Sequence, residues 1–332
     1  MKNKTIALMV LGILFLIGIF SMLFSYHNPT TGTVVRENEK LIFGVDTFTM
    51  ASAPVFVAEA KGFWKEEGLD VEIKPFVSGR LALDGLVGKS VDAATVVDFA
   101  AVLAAFQQQK VKIITTFSTS EKHVNLLARK DRGISKPEDL AGKKIAVSSG
   151  TSGEYVLNRF LEANNISQLD VKIVNLNPPD MVAAITRGDV DAIITWQPHI
   201  HNAKNMLGNN SVLFSSKGLY NHPFNVVVLE ESLAAQKEAQ KKLLFGLKKA
   251  GKFMRENEKE SVEITTKRLG MNAKDVEALW DGYSFKINID PSLVNSLENE
   301  GKWAKKAGIV KQETEEPDYK SLVYDGYVKT MK

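Results

Sequence analysis

A short apolar run, KKIAV (residues 143–147), breaks into Ser-Ser-Gly-Thr-Ser-Gly and continues as EYVLNRFL. A strand that enters a small-residue loop and leaves it as a helix gathers free backbone N–H groups at the positive end of a helix dipole. That arrangement suits an anion. Thr151, Ser152, Gly153 and Glu154 are the candidates, as hydroxyls and loop N–H groups. Thr151 followed by Glu154 also fits a capping box, S/T-x-x-E, whose role is to close the helix start, and the two roles are compatible. No Lys follows the glycines, which excludes a nucleotide-binding P-loop.

Such a loop needs strands and helices to hold it, and the chain supplies them twice. LDVEIKPF (69–76) returns as LDVKIVNL (169–176), and VDAATVVD (91–98) returns as VDAIITWQ (190–197). Upstream, FGVDTFTMASAPVFVAEAKGFW (43–64) corresponds to IAVSSGTSGEYVLNRFLEANN (145–165), each a strand, a small-residue loop and a helix. Alternating strands and helices predict α/β layers with largely parallel sheets. Two occurrences of one long unit predict two similar lobes rather than a solenoid. Loops at the strand C-termini would then face a shared crevice, where open α/β sheets hold ligands. HVNLLARK (123–130) and FNVVVLEE (224–231) read as extended crossings, a two-strand hinge able to close around a solute. The expected division is residues 40–122 plus 225–332 for the first lobe and 123–224 for the second. The amphipathic helices after residue 230 are expected on the first lobe, with their Lys-rich faces solvated.

Composition narrows the chemistry. The 332 residues carry a net charge of +3 and no cysteine. This argues against a nucleic-acid surface and excludes disulfides, thiolate metal sites, cysteine nucleophiles and a lipidated cysteine. His199 and His201 flank Ile200, on different faces of a helix, so neither they nor the other histidines (27, 123, 222) predict a metal site, and no cofactor is expected. At the N-terminus, Lys2 and Lys4 precede the uncharged run Ile6 to Phe24. Such a run is just long enough to span a bilayer, with the remainder exported. Residues 1–26 are read as a signal peptide or an uncleaved anchor, the second favoured because FSYHNP lacks a small-x-small site, and 27–39 as a polar tether.

Three stretches, PVFVAEAKGFWKEEGLDVEIKPFVSG, ISKPEDLAGKKIAVSSGTSGEYVL and NLNPPDMVAAITRGDVDAIITWQP, resemble the taurine, sulfonate and nitrate group of substrate-binding proteins of ABC importers. The resemblance covers residues 41–231. It implies the type II periplasmic-binding fold, two α/β lobes on a two-strand hinge with the ligand in the cleft. It also implies a receptor that closes on a small solute and delivers it to a permease and its ATPase, and a monomer is expected. The loop 46–54 of the first half then offers Asp46, Thr47, Ser52 and Ala53, and the start of the next helix offers Ser78, Gly79 and Arg80. Arg80 points either to the cleft or to solvent. Asp98 either caps a helix or accepts from an ammonium or ring N–H of the ligand. Trp196, with Gln197 beside it, fits a flat cleft wall, or else core. Asn225 stands where taurine receptors tend to carry an acid, which puts taurine itself in doubt.

The resulting expectation is an exported receptor for a small organic anion, an aliphatic sulfonate or taurine-like solute. A pyrimidine-like heterocycle on Trp196 and Asp98 is the second ligand class, and nitrate or bicarbonate the third. An enzyme of the same fold and a membrane-tethered sensor are the alternatives of another kind.

Overall fold

The two echoes of the sequence fold into two five-stranded sheets of the same strand order. The computed structural model describes residues 39–331; the apolar N-terminal run and the tether lie outside the described residues. The first sheet is built from β1 (Glu39–Asp46), β2 (Leu69–Phe76), β3 (Ala93–Val97), β4 (Val111–Ser120) and β10 (His222–Leu229), in the order β2-β1-β3-β10-β4. The second is built from β5 (Val124–Arg129), β6 (Lys144–Val147), β7 (Lys172–Asn175), β8 (Ala192–Trp196) and β9 (Ser211–Ser215), in the order β7-β6-β8-β5-β9. In each, β1 or β6 lies between the next two strands of its own half and pairs in parallel with both. The crossing strands β10 and β5 run antiparallel to their neighbours, so the sheets are mixed rather than largely parallel.

The repeated Val-Asp-Ala has a mechanical reason. Asp92 Oδ2 accepts from Ile42 N at 2.7 Å, and Asp191 Oδ2 accepts from Lys144 N at 2.8 Å. Each aspartate, just before β3 or β8, ties to the backbone of the neighbouring strand, β1 or β6, a side chain completing the backbone ladder. The echo is therefore architectural. It sets the strand register and leaves the ligand to the loops at the opposite strand ends.

Chain crossings fall at residues 121–123, between β4 and β5, and at 216–221, between β9 and β10. His222, Pro223 and Phe224, expected in the second lobe, already pair with Ser120, Thr119 and Ser118 of β4 in the first sheet. The helices Lys237–Glu256 and Glu258–Leu269 pack on the Ala53–Lys61 helix of the first lobe. The helix Leu293–Lys306 departs from the expectation, because it serves both lobes. Trp303 meets Phe99 of the first lobe at 5.4 Å between ring centroids and Tyr155 of the second at 4.9 Å. Such edge-to-face aromatic contacts add to the apolar area they bury.

Candidate functional site

Loops from both lobes enclose a cavity with about 390 Å³ of atom-free space, part of it open to solvent. The first lobe lines it with Asp46, Thr49, Ser52, Gly79, Arg80 and Thr95 and with the rings of Phe117 and Phe224; the second contributes Thr151, Ser152 and Trp196. His123 lines it from the crossing between them.

In the second lobe, β6 ends at Val147 and the Ser152–Ala163 helix starts five residues later. Much of the loop's hydrogen bonding is internal. The Thr151 hydroxyl donates to Ser148 O at 2.7 Å and accepts from Gly153 N at 3.2 Å. Glu154 Oε2 accepts from Gly150 N at 2.8 Å, one residue before the Thr151 N–H that a capping box would use. Ser149 N donates to Asn175 Oδ1 at 3.0 Å. The N–H groups of Thr151 and Ser152 and the Ser152 hydroxyl have no partner among the described residues and stand as unused donors at the cavity wall. Burial raises the Glu154 carboxyl above its ordinary range, against the Gly150 N–H that lowers it.

In the first lobe, Ser52 donates its hydroxyl to Asp46 O at 2.6 Å, and Asp46 N donates to Thr95 Oγ1 at 2.9 Å. These bonds turn the end of β1 into the cavity. Asp46 Oδ1 accepts from Phe48 N at 3.0 Å, and burial pushes its carboxyl up to about 7. Arg80 reaches the cavity from the first turn of the Gly79–Val87 helix, with Nε on Asp84 Oδ1 at 3.2 Å. It also crosses to the other lobe. Gly150 has φ +74°, and a Cβ placed there would lie 3.2 Å from Arg80 Nη1. A side chain at that position would be strained in its backbone and would crowd the guanidinium.

Of the sequence candidates, Asp46, Ser52, Gly79, Arg80, Thr151, Ser152 and Trp196 line the cavity. The others are used elsewhere. Thr47 N donates to Phe76 O at 3.2 Å at the end of β1, and Ala53 is buried at the start of its helix. Ser78 caps the Gly79–Val87 helix through Leu81 N. Gly153 and Glu154 close the Ser152–Ala163 helix start as described. Gln197 Oε1 accepts from His201 N at 3.1 Å, holding the first turn of the His199–Leu207 helix.

Two corrections bear on ligand class. Asp98, read as a possible ligand acceptor, is fully buried outside the cavity, where Tyr220 O–H contacts its Oδ1 and lies 2.5 Å from Glu300 Oε1. Asn225 turns away from the cavity because Phe224 turns in; neighbours on a strand face opposite sides of the sheet. Its Oδ1 accepts from Thr116 Oγ1 at 2.7 Å, and the residue is fully buried. The acid in the cavity is Asp46.

Sequence reasoning missed Thr49, Thr95, Val96, Phe117, His123 and Phe224 among the lining residues. Strand parity was the available signal: Phe224 and Asn225 cannot share a face, and the flat apolar residue is the better wall. Ring contacts organise that wall. His123 lies nearly parallel to Trp196 at 6.0 Å between centroids, and Phe224 meets His123 edge to face at 4.7 Å. His199 is buried and His201 sits 3.0 Å from Asp275 Oδ2, and no group of three potential ligands for a metal occurs among the described residues. No helix among those residues is long and apolar enough to cross a membrane.

Comparison with known proteins agrees with this architecture. The chain is 28% identical over 227 residues to a protein of Brucella abortus named as a binding protein, covering 67% of this chain and 69% of that one. It is 34% identical over 155 residues to the taurine-binding periplasmic protein of Escherichia coli, covering 46% and 48%. The alkanesulfonate-binding protein of Xanthomonas axonopodis pv. citri, solved with MOPS, superposes with a TM-score of 0.77 at 17% identity, covering 88% of this chain and all of that one. At that identity the likeness concerns the fold, two α/β lobes around a cleft. The model of the family described as NMT1/THI5 like matches residues 49–261, close to two-thirds of the sequence, and the chain belongs to that family.

Proposed function

We propose that the protein is an extracytoplasmic receptor of an ABC importer that holds a small organic anion between its lobes and presents it to the permease. Aliphatic sulfonates, taurine-like ones included, are the favoured class. The observation that carries this reading is the meeting, in one cavity, of the Arg80 guanidinium from one lobe with the Ser152 helix start from the other. An oxyanion there takes a guanidinium, a hydroxyl and backbone N–H groups. The rings of Phe117, Phe224 and Trp196 cover its carbon portion. Relatives named for taurine and for aliphatic sulfonates support the same class. Binding that favours the closed lobes over the open ones gives the permease a state to recognise. In this reading the site residues bind and do no chemistry, and the N-terminal apolar run tethers an exported monomer to the membrane.

The aromatic wall favours one second reading, a small heterocycle lying on Trp196 and His123. Asp46, not Asp98, would then meet a ring N–H.

A thermal-shift panel on the full-length chain in mild detergent tests both. It contains taurine, short alkanesulfonates, nitrate, bicarbonate and hydroxymethylpyrimidine. A ligand at a hundred times its Kd stabilises by about 2.7 kcal/mol, roughly a few degrees in Tm. A shift with sulfonates that is lost in Arg80→Gln supports the receptor reading. A shift with the pyrimidine alone replaces it with the second.

A further inference from the structure

One ring in the cavity wall, that of His123, has only one of its two nitrogens partnered among the described residues. His123 is only 2% exposed, and its Nδ1 lies 2.8 Å from the Tyr283 hydroxyl. Tyr283 is set by the C-terminal segment laid along β4. Ser284 and Thr119 exchange backbone hydrogen bonds at 2.9 Å in both directions, and the Ser120 hydroxyl donates to Gly282 O at 2.7 Å. The hydroxyl is therefore fixed from both sides.

That contact decides which ring nitrogen of His123 holds the proton. The Tyr283 O–H has no other acceptor among the described residues. If Nδ1 carried the hydrogen and donated to the phenol oxygen, the O–H of the half-buried Tyr283 would lose its one acceptor among the described residues, at a cost comparable to a lost hydrogen bond. With the phenol donating to Nδ1, both groups are satisfied and the hydrogen of the neutral ring sits on Nε2. Burial holds the ring neutral, well below the ordinary histidine range, with His222 and His199 adding to the effect. The Nε2 atoms of His199 and His222 are sealed from solvent and unpartnered. His123 Nε2 is also without a partner, but His123 lines the cavity.

We infer that His123 is a ligand-facing hydrogen-bond donor of the cavity, held in its Nε2–H tautomer by Tyr283, and that it reads an acceptor oxygen of the bound anion. This rests on the receptor reading above and deepens it. A neutral donor beside Trp196 and Phe224 binds an oxyanion without adding a second fixed charge to that of Arg80. It also links the ligand to the hinge, since His123 is the last residue of the 121–123 crossing before β5.

Two readouts test it. Long-range 15N–1H correlation spectra of the full-length chain report the tautomer of each histidine, with His123→Phe identifying the ring among the five. The expected pattern is Nε2–H at His123, lost or mixed in Tyr283→Phe. Titration calorimetry with ethanesulfonate should show His123→Phe binding about ten- to a hundredfold more weakly than wild type, the loss expected for a hydrogen bond to a charged group. His123→Gln, which keeps an N–H donor, should recover part of the affinity; a purely structural role would not give that recovery. Should His123→Phe misfold, Tyr283→Phe and His123→Gln carry the same comparison. An Nδ1–H tautomer or an imidazolium at pH 7 overturns the inference, as does unchanged affinity in His123→Phe. A wild-type chain that binds no sulfonate overturns the receptor reading instead. The spectrum still decides the donor assignment, upheld by Nε2–H and overturned by Nδ1–H.

Discussion

The guanidinium of Arg80, in the first lobe, lies against Gly150, in the second, so closely that a Cβ at Gly150 would stand 3.2 Å from Nη1. One cation thus belongs to both walls of the cavity, and its place depends on a glycine at positive φ across the cleft. A charged group shared by two lobes is best satisfied when they close on an anion.

Arg80→Gln should therefore weaken the binding of ethanesulfonate by about ten- to a hundredfold. It should also flatten the dependence of affinity on salt. Stability should change by less than about 1 kcal/mol, because the Arg80–Asp84 pair is partly exposed. Calorimetry at two ionic strengths, paired with thermal melts, checks both; an unchanged affinity would place the anion elsewhere.

Asp46 gives a stability dependence of definite sign. Its folded carboxyl is raised to about 7 by burial, so the native state binds this proton more tightly than the unfolded chain does. The associated stability is full at acid pH below the ordinary carboxyl range and is lost as pH rises through about 7. Asp46→Asn should match wild type near pH 4 and exceed it above pH 7, by no more than about 4 kcal/mol. Denaturant unfolding of the ligand-free protein across that range measures the difference. If Asp46→Asn is no more stable than wild type at pH 8, the carboxylate is already compensated.

The Asp98–Tyr220–Glu300 cluster makes a second, separable contribution. Tyr220 has one hydroxyl hydrogen for two carboxyl groups, and Asp98 Oδ2 and Glu300 Oε2 are buried without partners. A proton on one of the acids relieves the repulsion. Burial raises both, Asp98 to about 7 and Glu300 well above its ordinary value. Stability from the pair is again lost as pH rises through the folded values. Glu300→Gln, whose amide can donate to Asp98, should flatten the pH slope that remains in Asp46→Asn and leave ligand affinity unchanged. An unchanged slope would show that Glu300 contributes none of it and leave the buried Asp98 or a group elsewhere as its source.

Asn225→Asp separates core from site. A ligand-contacting position would gain affinity for an ammonium-bearing sulfonate. Here the new carboxylate would be fully buried with the Thr116 hydroxyl as its donor. The expected result is a loss of roughly 1–3 kcal/mol in stability with the preference between taurine and ethanesulfonate unchanged. A selective gain for taurine would return Asn225 to the cavity.

The sequence by itself determined the two-lobed plan, because strand register and helix faces are written in local periodicity. The echoed LDV and VDA segments announced the two equivalent sheets, and the Ser-Gly-rich loop marked one helix start that meets the cleft. Residues at loop entrances, such as Asp46, Arg80 and Ser152, were legible because the fold sends strand C-termini toward one crevice. Which of the acids at the strand ends faces that crevice was decided only by tertiary structure. Asp98 stands one residue after β3 and Asp46 ends β1, yet a tyrosine from the return crossing and a glutamate of the Leu293–Lys306 helix claim the first and leave the second to the cavity. His123 lines the cavity, and its Nδ1 is taken up in the same way by a phenol brought alongside from residue 283. Periodicity along the chain specifies a side chain's face, but its partners come from distant segments, and those partners decide whether a buried polar group is satisfied or left to bind a ligand.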